Sequence, residues 1–138
     1  MKIHVLFIDR SAIRYDALLR SAEEVLNKIG FDYRYIWLLD DNSIKGDIDH
    51  VLSTHQPFAV VIMHENMTTT GYDVASLIQS LTLFYRQLPK PTIFLVGGTK
   101  WRIQSEELKN KYEGRFQTMA EYDLPNLFCE FLQKLPAN

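Results

Sequence analysis

The sequence predicts an α/β domain with a doubly wound parallel sheet, and three observations lead to this class. Short apolar runs rich in β-branched residues, typical of strands buried on both faces, span residues 3–8, 58–63 and 92–96. Segments with apolar residues at helical spacing separate these runs. Strands and helices alternate along all 138 residues, which favours right-handed crossovers and helices on both faces of the sheet. We therefore expect one domain over residues 1–138, with three layers and five strands.

Each element has a sequence signal of its own. The helix after the first strand carries its apolar stripe between Ala17 and Ile29 and stops at Gly30, a residue type common just past helix ends. The helix after the third strand ends before Pro89, because proline lacks the N–H that a helix needs. The remaining elements are, in order, a strand over 33–39, a helical stripe over 44–52, the strand over 58–63, a helix over 74–88, the strand over 92–96, a short polar helix over 101–112, a strand over 115–119 and a helix over 124–135.

The polarity of the strands predicts their order in the sheet. The three most apolar strands belong in the middle, whereas 33–39 and 115–119 are more polar and belong at the edges. The flavodoxin-like order 2-1-3-4-5 satisfies both requirements. It places the topological switch point, where α/β proteins bind ligands, between the first and third strands. We therefore expect Asp9 to face the polar loop that begins at His64.

Composition limits the partners and the location. The chain is 46% hydrophobic and 23% charged with a formal net charge of −2, which gives no electrostatic argument for binding nucleic acid or a membrane surface. No apolar run approaches the length of a membrane span. The single cysteine, Cys129, cannot form an internal disulfide, so nothing points to an oxidising compartment. We expect a cytoplasmic protein that binds neither nucleic acid nor membrane.

The segment MHENMTTTGYDV, residues 63–74, resembles part of the receiver domain of response regulators. Receivers carry a phosphoacceptor aspartate at the end of the third strand and a glycine eight residues later, and Met63 and Gly71 have this spacing. The segments FIDRS, PTIFLVGG and DLPNL resemble the first strand, the fourth strand and the last helix, so the resemblance covers nearly all of the chain. It implies the receiver variant of the flavodoxin-like topology and a role in two-component signal transduction.

The chain departs from the receiver pattern at its chemical positions. In chain order, the departures are Arg10 beside Asp9 in the metal-binding acidic pair, Met63 for the phosphoacceptor, Val96 for the hydroxyl residue and Ala120-Glu121 for the Lys-Pro pair. A thioether cannot carry an acyl phosphate, and phosphoryl transfer needs the metal and the lysine as well. The resemblance therefore implies a pseudo-receiver, an interaction module that works without phosphorylation, and no catalytic residue is predicted.

Asp9 allows two interpretations. It could bind a divalent cation such as Mg²⁺ together with Glu65 through oxygen ligands. Alternatively, its carboxylate is paired with Arg10 or Arg14 or accepts N–H bonds at the start of the first helix, and this second interpretation is favoured. His64 and Glu65 are neighbours in an extended segment and point to opposite faces, so the polarity of a loop explains both. No cofactor is expected.

A second function uses the same crevice. The turn Gly97-Gly98-Thr99-Lys100 could offer N–H groups, a hydroxyl and an ammonium to an anion. Together with Asp9 and Glu65 it would make a flavodoxin-like enzyme, most simply a hydrolase, or a domain that binds a nucleotide or other small ligand. The glycines are equally explained by the steric needs of a strand-to-helix turn, and that interpretation is favoured.

Aromatic residues suggest where a partner binds. Trp101, Tyr112, Phe116 and Tyr122 lie in weakly apolar segments, and aromatic side chains are enriched at the centres of interfaces. In receivers, the face built from the fourth helix, fifth strand and fifth helix mediates dimerisation. By that resemblance, we expect a protein partner or a second copy of the chain to bind the face formed by residues 101–135.

Overall fold

The computed structural model describes residues 2–9, 15–29, 32–38, 44–54, 57–64, 73–97, 110, 112 and 115–135. The elements in these ranges are β1 (Lys2–Ile8), α1 (Asp16–Ile29), β2 (Asp32–Leu38), α2 (Ile44–Thr54), β3 (Val60–His64), α3 (Val74–Phe84), β4 (Thr92–Val96), β5 (Phe116–Met119), a 3-10 helix (Glu121–Asp123) and α4 (Leu124–Gln133). The predicted helix over 101–112 lies outside the described residues except at positions 110 and 112.

Within the described residues, five strands form one parallel sheet in the order β2-β1-β3-β4-β5. This confirms the α/β class with a parallel sheet, and the strand order is the one that strand polarity predicts. The register aligns Ile8 with Met63 and Met63 with Leu95, so β1, β3 and β4 end at the same edge. That edge carries the carboxyl ends of the central strands and therefore positions the candidate site.

Helices cover both faces of the sheet, and every residue of β3 and β4 is buried. Helices α1 and α4 contact each other on one face, and α2 contacts α3 on the other. Side chains alternate between the faces, so β3 and β4 contribute side chains to two separate cores. The core under α1 and α4 includes Val60, Ile62, Phe94, Leu18, Phe128 and Leu132. The core under α2 and α3 includes Val61, Met63, Leu95, Leu52, Leu77 and Leu81.

Several boundaries differ from the sequence prediction by one to four residues, and two of these differences bear on the site. Helix α3 ends at Phe84 instead of 88, because Tyr85 turns into the core, where its hydroxyl accepts a hydrogen bond of 2.8 Å from the N–H of Phe58. Strand β3 spans Val60–His64 instead of 58–63. His64 is consequently the last residue of a buried strand and does not begin a loop.

Candidate functional site

The candidate site lies at the carboxyl edge of the sheet, on the face covered by α1 and α4. Ile8 is aligned with Met63, so the residues that follow them in the chain, Asp9 and His64, lie side by side. The alternation of side chains puts both on the α1/α4 face, and His64 is aligned on its other side with Val96 of β4. The structure thus brings Asp9 to the switch point, as the sequence predicts, but beside His64 instead of opposite a loop.

Asp9 is completely buried. The hydroxyl of Tyr15, a residue that is also completely buried, donates a hydrogen bond to Oδ2 of Asp9. The ring of Tyr15 packs on Phe7 with 4.8 Å between ring centroids, which fixes the hydroxyl over the carboxylate. Tyr15 is a partner that the sequence interpretation missed, because nothing in the spacing distinguishes it. The arginines predicted as partners, Arg10 and Arg14, lie outside the described residues.

His64 is buried, with 5% of its surface exposed. Its Nε2 atom lies 2.5 Å from Oε1 of Glu121. A carboxylate only accepts hydrogen bonds, so Nε2 is the donor. Glu121 belongs to the 3-10 helix that follows β5, and its side chain is 48% exposed. The interpretation of His64 as an ordinary polar loop residue is therefore wrong. Its alternation with Val60 and Ile62 was the signal that could have placed it in the strand, while Glu65 lies outside the described residues.

Met63 points to the other face of the sheet. Its side chain is completely buried in the core under α2 and α3, together with Ile8, Leu95 and Tyr112. The thioether is thus enclosed by apolar groups and is separated from Asp9 and His64 by the sheet itself. The residue predicted at the phosphoacceptor position contributes to packing.

The first N–H of the turn after β4 is used by the sheet. The N–H of Gly97 donates to the carbonyl oxygen of Met119 at 2.9 Å, extending the β4–β5 pairing by one residue. That N–H is therefore not available to a ligand. Thr99 and the rest of the turn lie outside the described residues.

Two of the four residues predicted for the aromatic interaction face are not on the surface. Tyr112 and Phe116 are buried in the core, with 6.5 Å between their ring centroids, and the hydroxyl of Tyr112 donates to the carbonyl oxygen of Pro91 at 2.5 Å. Both residues therefore contribute to the packing of the core and are not exposed to a partner. Tyr122 is 82% exposed and is the one member of the set that the described residues place on the surface. Trp101 lies outside them.

The candidate site consists of buried polar side chains that are hydrogen-bonded within the protein. Its two contacts tie the end of β1 to the start of α1, and the end of β3 to the 3-10 helix after β5. Across the described residues, no group of three or more His, Cys, Asp or Glu side chains is arranged to hold a metal ion. The geometry stabilises the carboxyl edge, because buried polar groups are costly unless they are hydrogen-bonded.

Comparisons with known proteins do not assign the chain to a family. No protein-family model matches the chain, and no curated protein matches its sequence. Among solved structures, the fold is similar to a fragment described as a "putative lipoprotein" from Peptoclostridium difficile 630. The TM-score is 0.42 and the identity 14%, over 94% of this chain and 98% of that one.

The cytoplasmic location that the sequence predicts is not maintained. The solved structure similar to this chain is described as a lipoprotein, which disagrees with that prediction, and no other location is assigned. In the described ranges, none of the helices combines the length and the apolar character that crossing a membrane would require.

Burial gives the buried tyrosines a measurable pH signature. Burial, with a smaller contribution from the neighbouring Tyr85, raises the pKa of Tyr112 above its ordinary value of about 10, and burial also raises the pKa of Tyr85. A raised pKa contributes stability that is fully present below pH ~10 and is lost as the pH rises towards the folded-state pKa. We expect the free energy of unfolding, measured with urea, to fall above pH ~10. The fall should be smaller in Tyr112→Phe, which lacks this phenol. An equally steep fall in Tyr112→Phe would contradict the assignment, and Tyr122→Phe serves as the exposed control.

The Tyr15–Asp9 contact can be tested separately. Tyr15→Phe removes a hydroxyl donor from a buried carboxylate and should lower the free energy of unfolding by about 1–3 kcal/mol at neutral pH. The matched substitution Tyr122→Phe, at an exposed phenol, should stay within about 0.5 kcal/mol of wild type. Equal urea midpoints for wild type and Tyr15→Phe would mean that other groups satisfy Asp9 without this hydroxyl.

Proposed function

We propose that the chain is a pseudo-receiver that acts in signalling as a protein–protein interaction module without aspartyl phosphorylation. Three features support this proposal together. The strand order β2-β1-β3-β4-β5 is the flavodoxin-like order used by receivers. The segment from Met63 to Val74 resembles the receiver motif around the phosphoacceptor, and Asp9 follows β1 as one member of the acidic pair does.

The observation that carries the proposal is the burial of Met63. A receiver needs a carboxylate at this position to attack the phosphoryl group and a metal to neutralise the developing charge. Met63 is completely buried among apolar side chains, with Ile8 and Leu95 on the neighbouring strands. A thioether that is completely buried in this environment has no nucleophilic role.

The His64–Glu121 contact supports the same proposal. It joins the end of β3 to the segment after β5, the two places where the receiver resemblance puts the phosphoacceptor and the Lys-Pro pair. In a receiver, the lysine there holds the phosphorylated product. Here a hydrogen bond between an imidazole and a carboxylate connects the same two segments without any modification. We propose that this contact holds the domain in one conformation.

Tyr122 is the proposed centre of the interaction surface. Its phenol is 82% exposed and follows Glu121 directly, so it stands on the 3-10 helix that the His64 contact anchors. Exposed aromatic side chains on rigid supports are favoured at interface centres, because they bury a large area at a small cost in side-chain entropy. We propose that this surface binds a second copy of the chain or a protein partner.

The alternative of an enzyme or ligand-binding crevice has less support. Asp9 is completely buried and bonded to Tyr15, and the N–H of Gly97 is used by the sheet. Two of the groups that the alternative requires are therefore already engaged within the protein.

The phosphorylation part of the proposal is tested with magnesium and beryllofluoride. We expect amide NMR spectra to show no shifts spreading from Asp9 to α4 when beryllofluoride is added, because the phosphoacceptor position carries the thioether of Met63 and no carboxylate to bind it. An authentic receiver treated in parallel is the positive control. A hydroxylamine-labile phosphoryl group on this chain after incubation with acetyl phosphate would overturn the proposal.

The interaction part is tested by the oligomeric state. If a second copy binds, sedimentation velocity should show a monomer–dimer equilibrium that Tyr122→Ala weakens by about tenfold or more, as expected for an aromatic at an interface centre. Leu88→Ala removes another exposed apolar side chain, 39% exposed in wild type, and is the matched control. A wild-type chain that remains monomeric at every concentration would eliminate the homodimer.

A further inference from the structure

A polar groove runs between α2 and α3, on the opposite helical layer from α4. Its volume is about 520 Å³, which is enough for several side chains of a bound peptide. The residues that matter for its chemistry are Lys45, Asp49, Ser80, Leu83 and Arg86. None of them belongs to the carboxyl-edge site.

Two cations line this groove. Lys45 lies in the first turn of α2 and Arg86 follows α3, and both are exposed. Neither forms a salt bridge with another of the described residues. The first turn of a helix disfavours positive charge, so Lys45 is not placed there to stabilise α2. Both side chains are exposed, so an anionic partner can reach them.

The acidic residue in the groove is already engaged. Oδ1 of Asp49 accepts a hydrogen bond of 2.7 Å from the hydroxyl of Ser80, which is buried to 5% exposure. This contact links α2 to α3 and sets the spacing between the two helices. The carboxylate therefore forms part of the wall, and the side chains of Lys45 and Arg86 give the groove a positive character in a chain whose formal net charge is −2.

Leu83 adds an apolar contact to the same groove. It is 54% exposed near the end of α3 and lines the groove beside the two cations. An inorganic anion would not use it, whereas a peptide that carries both carboxylates and an apolar side chain would use all three residues. Charge complementarity with an apolar anchor is the common pattern of peptide recognition.

We infer that the α2–α3 groove docks an acidic peptide segment of a protein partner. The carboxylates of the segment lie beside Lys45 and Arg86, and one apolar side chain packs on Leu83. This surface is separate from the one around Tyr122, so the chain presents two binding faces on different layers. The inference does not depend on the absence of phosphorylation.

The experiment uses the full chain and NMR shift mapping, which detects weak binding. The probe is a short peptide of alternating glutamate and leucine, compared with the same peptide carrying glutamine in place of glutamate. We expect saturable shifts at Lys45, Leu83 and Arg86 with the acidic peptide, weakened by added salt. The glutamine peptide should bind about tenfold more weakly or not at all.

Variants separate this site from general surface charge. Lys45→Gln combined with Arg86→Gln should weaken binding of the acidic peptide about tenfold. The matched control is Arg20→Gln with Lys28→Gln, which removes two exposed cations from α1 and should leave binding unchanged. Leu83→Ala should also weaken binding, whereas Tyr122→Ala should not. Unchanged peptide binding in Tyr122→Ala would show that the groove binds independently of the proposed Tyr122 surface. Either proposal can then fail without the other.

Several outcomes would overturn the inference. They are the absence of shifts at the groove residues, equal affinity for the two peptides, or an equal loss in the α1 control. Shifts produced by inorganic phosphate alone, with none from the peptide, would make the groove a simple anion site. Binding to anionic vesicles in place of the peptide would assign the two cations to a lipid surface.

Discussion

The burial of β3 between two helical layers is the constraint on which the rest of the structure depends. All five of its residues are buried, so each side chain has to be apolar or fully hydrogen-bonded. Met63 meets this requirement in the core under α2 and α3, and His64 meets it on the other face through Glu121. Burying each large apolar side chain contributes about 1.5–3 kcal/mol, so the central strands add substantially to stability.

The same constraint accounts for the polar contacts at the carboxyl edge. In many α/β proteins, the ends of the central strands open into a crevice where ligands bind. Here Tyr15 and Glu121 reach the two polar side chains that end β1 and β3, so the desolvation of Asp9 and His64 is offset within the protein. Asp9 and His64 are already hydrogen-bonded within the protein, so these two groups are less able to bind a ligand. Recognition is then expected on outer surfaces, where side chains such as those of Tyr122 and Arg86 are exposed.

The sequence was sufficient for the fold and insufficient for the contacts. The polarity of five short strands predicts their order in the sheet, because burial on two faces leaves a direct record in composition. The pairing of His64 with Glu121 joins residues 57 positions apart, and no local pattern encodes such a contact. Tyr112 and Phe116 were assigned to an interface because their segments look weakly apolar, yet both fill the core. Aromatic composition by itself does not distinguish a core position from a surface position, since both favour large apolar area.

A domain without the residues of a phosphorylation switch can still carry a signal by binding. The affinity then depends on which side chains are exposed and on how little the scaffold must order when a partner arrives. The carboxyl-edge contacts favour such a scaffold, because they hold α1 and the 3-10 helix to the ends of β1 and β3. Tyr122 and the cations of the α2–α3 groove project from different parts of that scaffold. If both proposed faces bind, their different chemistry would allow one domain to bridge two partners, a function that needs geometry and charge but no catalytic group.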